Sequence, residues 1–113
     1  MELHEQTCTP CRGGVPPMAP DAAARLAQTV PAWRLADNAT RLVREFKFVD
    51  YARALAFVNA ISAVAEAEGH HPDIALGWGY ATVTLFTHKI HGLHDNDFIM
   101  AAKFDRLYTA PDV

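Results

Sequence analysis

Apolar positions along this chain repeat with two periods, and the switches between them mark the elements. In "DYARALAFVNAISAVAEAEG", Tyr51, Ala54, Leu55, Val58, Ile61 and Ala65 recur at three- and four-residue steps. That spacing puts them on one face of an α-helix. Phe57 and Val64 widen the stripe, as suits a helix lying across a sheet. Asp50 can cap its start and Gly69 can end it.

From Asp73 the period drops to two. "DIALGWGYATVTLFTH" alternates, with a turn near Gly77–Gly79. Carried straight through, the alternation places Ile74, Leu76, Trp78, Tyr80, Thr82, Thr84, Phe86 and His88 on one face. Ala75, Ala81, Val83, Leu85 and Thr87 fall on the other. The small-residue face suits a closely packed helix, and the aromatic and threonine face suits an open concave surface. Upstream, "AWRLADNATRLVREFKF" reads as two strands with a turn at Asp37–Asn38. In the second, Leu42, Phe46 and Phe48 share a face that Arg44 interrupts. Arg41, Glu45 and Lys47 share the other, interrupted by Val43.

Two more helices complete the pattern. Pro20–Asp21 opens one, with Ala23, Leu26, Ala27 and Val30 at helical spacing and Pro31 beyond it. "HDNDFIMAAKFDRLY" gives the other, with Phe98, Ala101, Phe104 and Tyr108 inward and Asp97 in its acidic first turn. The order is therefore α-β-β-α-β-β-α. It predicts an α+β fold: a four-stranded, mainly antiparallel sheet with three helices packed on one face. Residues 20–113 form a single domain. Residues 1–19, rich in glycine and proline, are expected to be a flexible N-terminal arm.

Composition narrows the function. The 113 residues are half apolar and carry a net charge of −3 with histidines neutral. No basic run gives the footprint of a nucleic-acid binder. No apolar stretch approaches the roughly 20 residues that span a bilayer, and the polar N-terminus carries no signal-peptide core. A cytoplasmic protein without nucleic-acid or membrane partners is expected. The two cysteines, Cys8 and Cys11, form "CTPC". Such a pair can be half a zinc site, with His4 as a third ligand, or a redox pair. Structural zinc normally takes four ligands, and no second pair exists, so two reduced thiols in the arm is the preferred reading.

The chemistry concentrates in "EGHHPDIALGWGYATVTLFTHK". His70 and His71 leave the helix where Gly69 ends it and Pro72 forbids its return. His88 follows the alternating stretch. Histidine gives and takes protons near neutral pH. Glu66 and Asp97 are the carboxylates placed to orient such rings. The zinc helix H-E-x-x-H is absent, as are a nucleophile elbow and a P-loop. A three-histidine zinc site with His91 or His94 stays open, but no metal-ligand spacing matches it. On the residues alone, an acid–base cluster and ordinary surface or satisfied core histidines both stay open as well.

The spaced pattern E-x-x-x-H-H-P (Glu66 to Pro72), Trp78, Thr87–His88 and Asp97 resembles the signature of the pterin-4a-carbinolamine dehydratases. The likeness runs from about Ala32 to Tyr108, through "EFKF", "HHPD", "TVTLFTH" and "GL". The resemblance implies removal of water from the 4a-hydroxytetrahydropterin left by aromatic amino acid hydroxylases, without metal or organic cofactor. It implies catalysis by His70, His71 and His88, with His70 and His88 the acid–base pair. It places Glu66, Pro72, Thr87, Lys89, Ile90 and Asp97 with the histidines in the pterin site. Trp78 walls the pocket or, as preferred, packs in the core. It further implies a homodimer or homotetramer and a link to phenylalanine hydroxylase. The competing expectation is a non-catalytic partner-binding or assembly module on the same fold. Relatives carry Ser or Thr where this chain has His94, a poorer helix cap. Metal analysis of the purified protein is expected to find no stoichiometric zinc; a one-to-one content would restore the cysteine or three-histidine site.

Overall fold

The structure, a computed structural model, describes residues 2–9 and 15–109. Cys11, one half of the cysteine pair, lies outside the described residues. After a short 3-10 turn at Leu3–Glu5 come α1 (Pro20–Ala27), β1 (Arg34–Ala36), β2 (Arg41–Lys47), α2 (Tyr51–Glu68), β3 (Asp73–Gly77) and β4 (Tyr80–Leu85). A 3-10 turn at His88–Ile90 then leads to α3 (Asp95–Leu107). The strands run in the order β1-β2-β4-β3, and every neighbouring pair is antiparallel. The expected element order and α+β architecture are those observed.

The faces of the β3–β4 hairpin differ from the simple alternation. Residues directly opposite in an antiparallel pair share a face. Ile74 stands opposite Val83 and Leu76 opposite Ala81. All four therefore face the helices, while Ala75 and Thr82 share the open face. The cause is the turn. Only Trp78 and Gly79 separate the paired residues Gly77 and Tyr80, so the parity of the alternation reverses across it. Gly79 supplies the left-handed backbone the turn needs, with φ of 79°.

The core lies between the helices and the face built by Leu42, Phe46, Ala81, Val83 and Leu85, all fully buried. From α2 it receives Ala54, Phe57, Ile61 and Ala65; from α3, Phe98, Met100, Ala101 and Phe104. Tyr51 and Leu55, expected on the α2 stripe, are instead 45 % and 40 % exposed. The true stripe centres on Ile61 with Phe57 on its flank, and a helix turning 3.6 residues at a time carries Leu55 away from it.

Arg44 does sit on the apolar face, and the fold accommodates it. Its guanidinium Nη1 donates to Asp105 Oδ1 at 2.6 Å and lies over the rings of Phe46 and Tyr108. Trp33 Nε1 donates to the same carboxylate oxygen at 2.8 Å. Burial pushes the Asp105 carboxyl above its usual range, and the Trp33 and Arg44 contacts only partly pull it back.

Residues 2–9 lie along α3 rather than away from the domain. Lys103 Nζ donates to the His4 carbonyl at 3.1 Å. The Cys8 backbone N–H donates to Glu68 Oε1 at 2.7 Å. His4 Nδ1 stands 3.3 Å from Glu2 Oε2.

Asp105→Ala is expected to lower stability by about 2 kcal/mol, because it strands a half-buried guanidinium and an indole N–H together. Thermal unfolding of the variant beside the parent measures this; an unchanged midpoint would show the cluster to be neutral.

Candidate active site

Two connections meet at one end of the sheet. The first leaves α2. Gly69 takes the left-handed conformation at φ of 68° that closes the helix, and Pro72 follows. The second leaves β4, where Thr87 and Gly92 bridge and enclose the 3-10 turn His88–Ile90. It then runs on to open α3. Together the two connections line a cleft of about 210 Å³ with Gly69, His70, His71, Thr87, His88 and Lys89. All three motif histidines are thus brought to one cavity.

Asp97 organises the cleft from behind. It is completely buried. Oδ1 meets His70 Nε2 at 2.6 Å. Oδ2 accepts from Thr87 Oγ1 at 2.9 Å and from the His94 N–H at 3.0 Å. A carboxylate only accepts, so His70 Nε2 carries a proton and donates it to Asp97 Oδ1. His70 itself is 9 % exposed.

The other two rings are held differently. His71 Nε2 stands 3.4 Å from Glu66 Oε1, with both side chains largely exposed, so the pair is weak. His88 is exposed and packs against Phe86, with ring centroids 4.0 Å apart and planes tilted by 42°. The guanidinium of Arg41 lies 3.7 Å from the centre of that Phe86 ring. Phe86 and Arg41 had no place in the expected site; nothing in their spacing marks them, because the contact joins β2 to the end of β4.

Several expectations are refined. Lys89 does line the cleft, exposed. Ile90 is buried at 7 % and Pro72 half-buried, and neither is among the lining residues. Trp78 neither walls the cleft nor packs in the core. It is 72 % exposed at the β3–β4 turn, at the opposite end of β4 from His88. His94 is a working cap. Its Nδ1 accepts from the Asn96 N–H at 3.1 Å while Asp97 accepts from the His94 N–H, a reciprocal capping box. The acidic residue three positions after His94 was the signal for it.

A sequence model of the family "Pterin 4 alpha carbinolamine dehydratase" matches residues 16–107. The chain belongs to the pterin-4a-carbinolamine dehydratase family. It is 53 % identical over 105 residues to the "Putative pterin-4-alpha-carbinolamine dehydratase" of Methylococcus capsulatus, covering 93 % of this chain and 92 % of that one. It is 56 % identical over 106 residues to the protein of the same name in Aromatoleum aromaticum, covering 94 % and 95 %. Among solved structures, the transcriptional coactivator/pterin dehydratase of Brucella melitensis superposes with a TM-score of 0.76 at 26 % identity, covering 80 % of this chain and 97 % of that one. A pterin dehydratase-like protein described as a RuBisCO assembly factor in the α-carboxysome superposes at 0.58 with 31 % identity, covering 67 % and 91 %. The fold is thus the dehydratase fold. Among the described residues no helix is long and apolar enough to cross a membrane.

Asp97→Asn keeps the size of the side chain but sets an amide NH₂ against groups that already donate. The variant is expected to lose about 2 kcal/mol of stability. It should also lose the hydrogen-bonded His70 Nε2 proton resonance in NMR. Retention of both would remove Asp97 from its organising role.

Proposed function

We propose that this family member is a hydro-lyase that dehydrates 4a-hydroxytetrahydropterin to quinonoid dihydropterin. The observation that carries the reading is the convergence of His70, His71 and His88 on one cleft, with His70 Nε2 engaged by buried Asp97. That engagement leaves Nδ1 as the His70 nitrogen for chemistry.

The reaction needs two proton transfers. The N5 proton goes to a base, the N5 electron pair forms the N5=C4a bond, and the C4a–oxygen bond breaks. The departing hydroxyl takes a proton from an acid and leaves as water. Histidines near neutral pH can fill both roles, each typically contributing 10²–10⁴-fold. In this reading His70 and His88 are the pair. His71, at the rim beside Glu66, contacts the pterin and assists. Thr87 and Lys89 border the bound ring, and Pro72, Ile90 and Asp97 shape the loops behind it. No metal or organic cofactor takes part. The protein works as a homodimer or homotetramer and recycles the product of an aromatic amino acid hydroxylase such as phenylalanine hydroxylase.

A second reading is a non-catalytic assembly module, favoured by the relative described as a RuBisCO assembly factor. One experiment separates the two. The 4a-carbinolamine is generated with a hydroxylase, and its decay is followed with and without this protein at neutral pH. The dehydratase accelerates the decay, whereas an assembly module leaves the rate unchanged. His70→Ala and His88→Ala are each expected to lower kcat by roughly 10²-fold or more while the fold persists. Near-normal rates in both would overturn the assignment of the pair.

A further inference from the structure

The segment ahead of the family match is pinned at the two places that carry the His70–Asp97 pair. The matched domain begins at residue 16. Residues 8 and 9 nevertheless touch both of its relevant helix ends. The Cys8 N–H donates to Glu68 Oε1 at 2.7 Å, and Glu68 is two residues before His70. The Thr9 peptide is gripped by Asn96, which is one residue before Asp97. Thr9 N–H donates to Asn96 Oδ1 at 3.0 Å, and Asn96 Nδ2 donates to the Thr9 carbonyl at 2.7 Å. Asn96 is 98 % buried, so its amide has no solvent to fall back on.

Glu68 is itself held. It stands 3.7 Å from Lys103 Nζ, and both side chains are largely buried. Lys103 also donates to the His4 carbonyl, so the start of the chain is fixed along α3. The Cys8 thiol lies 3.8 Å from the Asn96 carbonyl. Burial first, then the nearby Glu68 carboxylate, pushes this thiol up to about 12. It therefore stays a neutral donor and brings no second charge near Asp97.

We propose that residues 8–9 staple the exit of α2 to the start of α3, with Asn96 and Glu68 as positioning residues that set the His70–Asp97 geometry. The physical reason is leverage. His70 and Asp97 sit on different elements, and their contact of 2.6 Å has little slack. A tie of three hydrogen bonds, one or two residues from each partner, limits how far the two ends can separate. The catalytic consequence rests on the reading that His70 does acid–base work; the structural consequence does not.

The bonds from Thr9 use its backbone alone, which gives a clean test in the full-length chain. Thr9→Pro removes the N–H that Asn96 accepts from, whereas Thr9→Ala leaves it. Asn96→Ala removes the whole grip. The His70 Nε2 proton is observed by NMR on ¹⁵N-labelled protein, and kcat and KM are measured with the 4a-carbinolamine. Thr9→Pro and Asn96→Ala should broaden or lose that resonance. Both should lower kcat about tenfold with KM held within about twofold, as misplacement of a reacting group does. Thr9→Ala should match the parent. If Asn96→Ala does not fold, Thr9→Pro decides alone. A Thr9→Pro protein that keeps both the resonance and kcat overturns the staple, even if it melts earlier. If the parent shows no dehydratase activity, the resonance still judges the staple while the functional reading fails separately.

Discussion

The carboxylate of Asp97 is the contact on which the cleft depends. Placing an ionised group in a protein interior is costly unless donors surround it. Here three donors do, supplied by two connections: His70 after α2, and Thr87 and His94 at the two ends of the connection from β4 to α3. The need to satisfy one buried charge therefore fixes these two connections relative to each other and to the start of α3. The cleft lies between the two connections, so its shape follows from that electrostatic demand.

The sheet delivers these loops to one place. The exit of β4 and the start of β3 lie at the same end, because the strands pair antiparallel through a two-residue turn. The end of α2 arrives there because β3 begins only five residues after Glu68. With β4 between β2 and β3, its exit emerges from the interior of the sheet, where both neighbours hold its direction. The polar exceptions on the helix-facing side are resolved locally. Arg44 has Asp105, and Asp105 has Trp33 as well. No buried side-chain nitrogen or oxygen among the described residues lacks a hydrogen-bond partner.

Much of this was legible from periodicity. The helix over 51–68, the alternation over 73–88 and the breaks at Gly69 and Pro72 are local signals, and local signals survive folding. The histidine cluster was legible because loop-borne chemistry sits next to those breaks. What escaped were features set by parity and by long-range contact. The face of Ile74 depends on how many residues the turn holds, which the alternation alone does not state. Tyr51 and Leu55 fit a helical stripe equally well, but only packing chooses which flank turns to the sheet. Asn96 reads as an ordinary polar residue in a first helical turn, and its grip on Thr9 spans 87 positions. Trp78 looked like core because it is aromatic, whereas the turn at Gly79 lifts it into solvent.

The rings at the cleft are held by two kinds of force, and the difference matters for proton transfer. A hydrogen bond to a carboxylate fixes a ring's plane and also selects its tautomer, so His70 presents a defined Nδ1. Packing against a neighbouring ring restrains a ring without choosing a nitrogen. His88, lying against Phe86 with Arg41 above that ring, is oriented in this second way. It is also exposed, so its ring nitrogens are open to water. A reaction that removes one proton and delivers another gains from both behaviours in one site: a buried ring whose tautomer is imposed, and an open ring whose proton can be exchanged. His70, buried and hydrogen-bonded, and His88, exposed and packed on a ring, thus differ in how they are anchored, and the proposed dehydration draws on that difference.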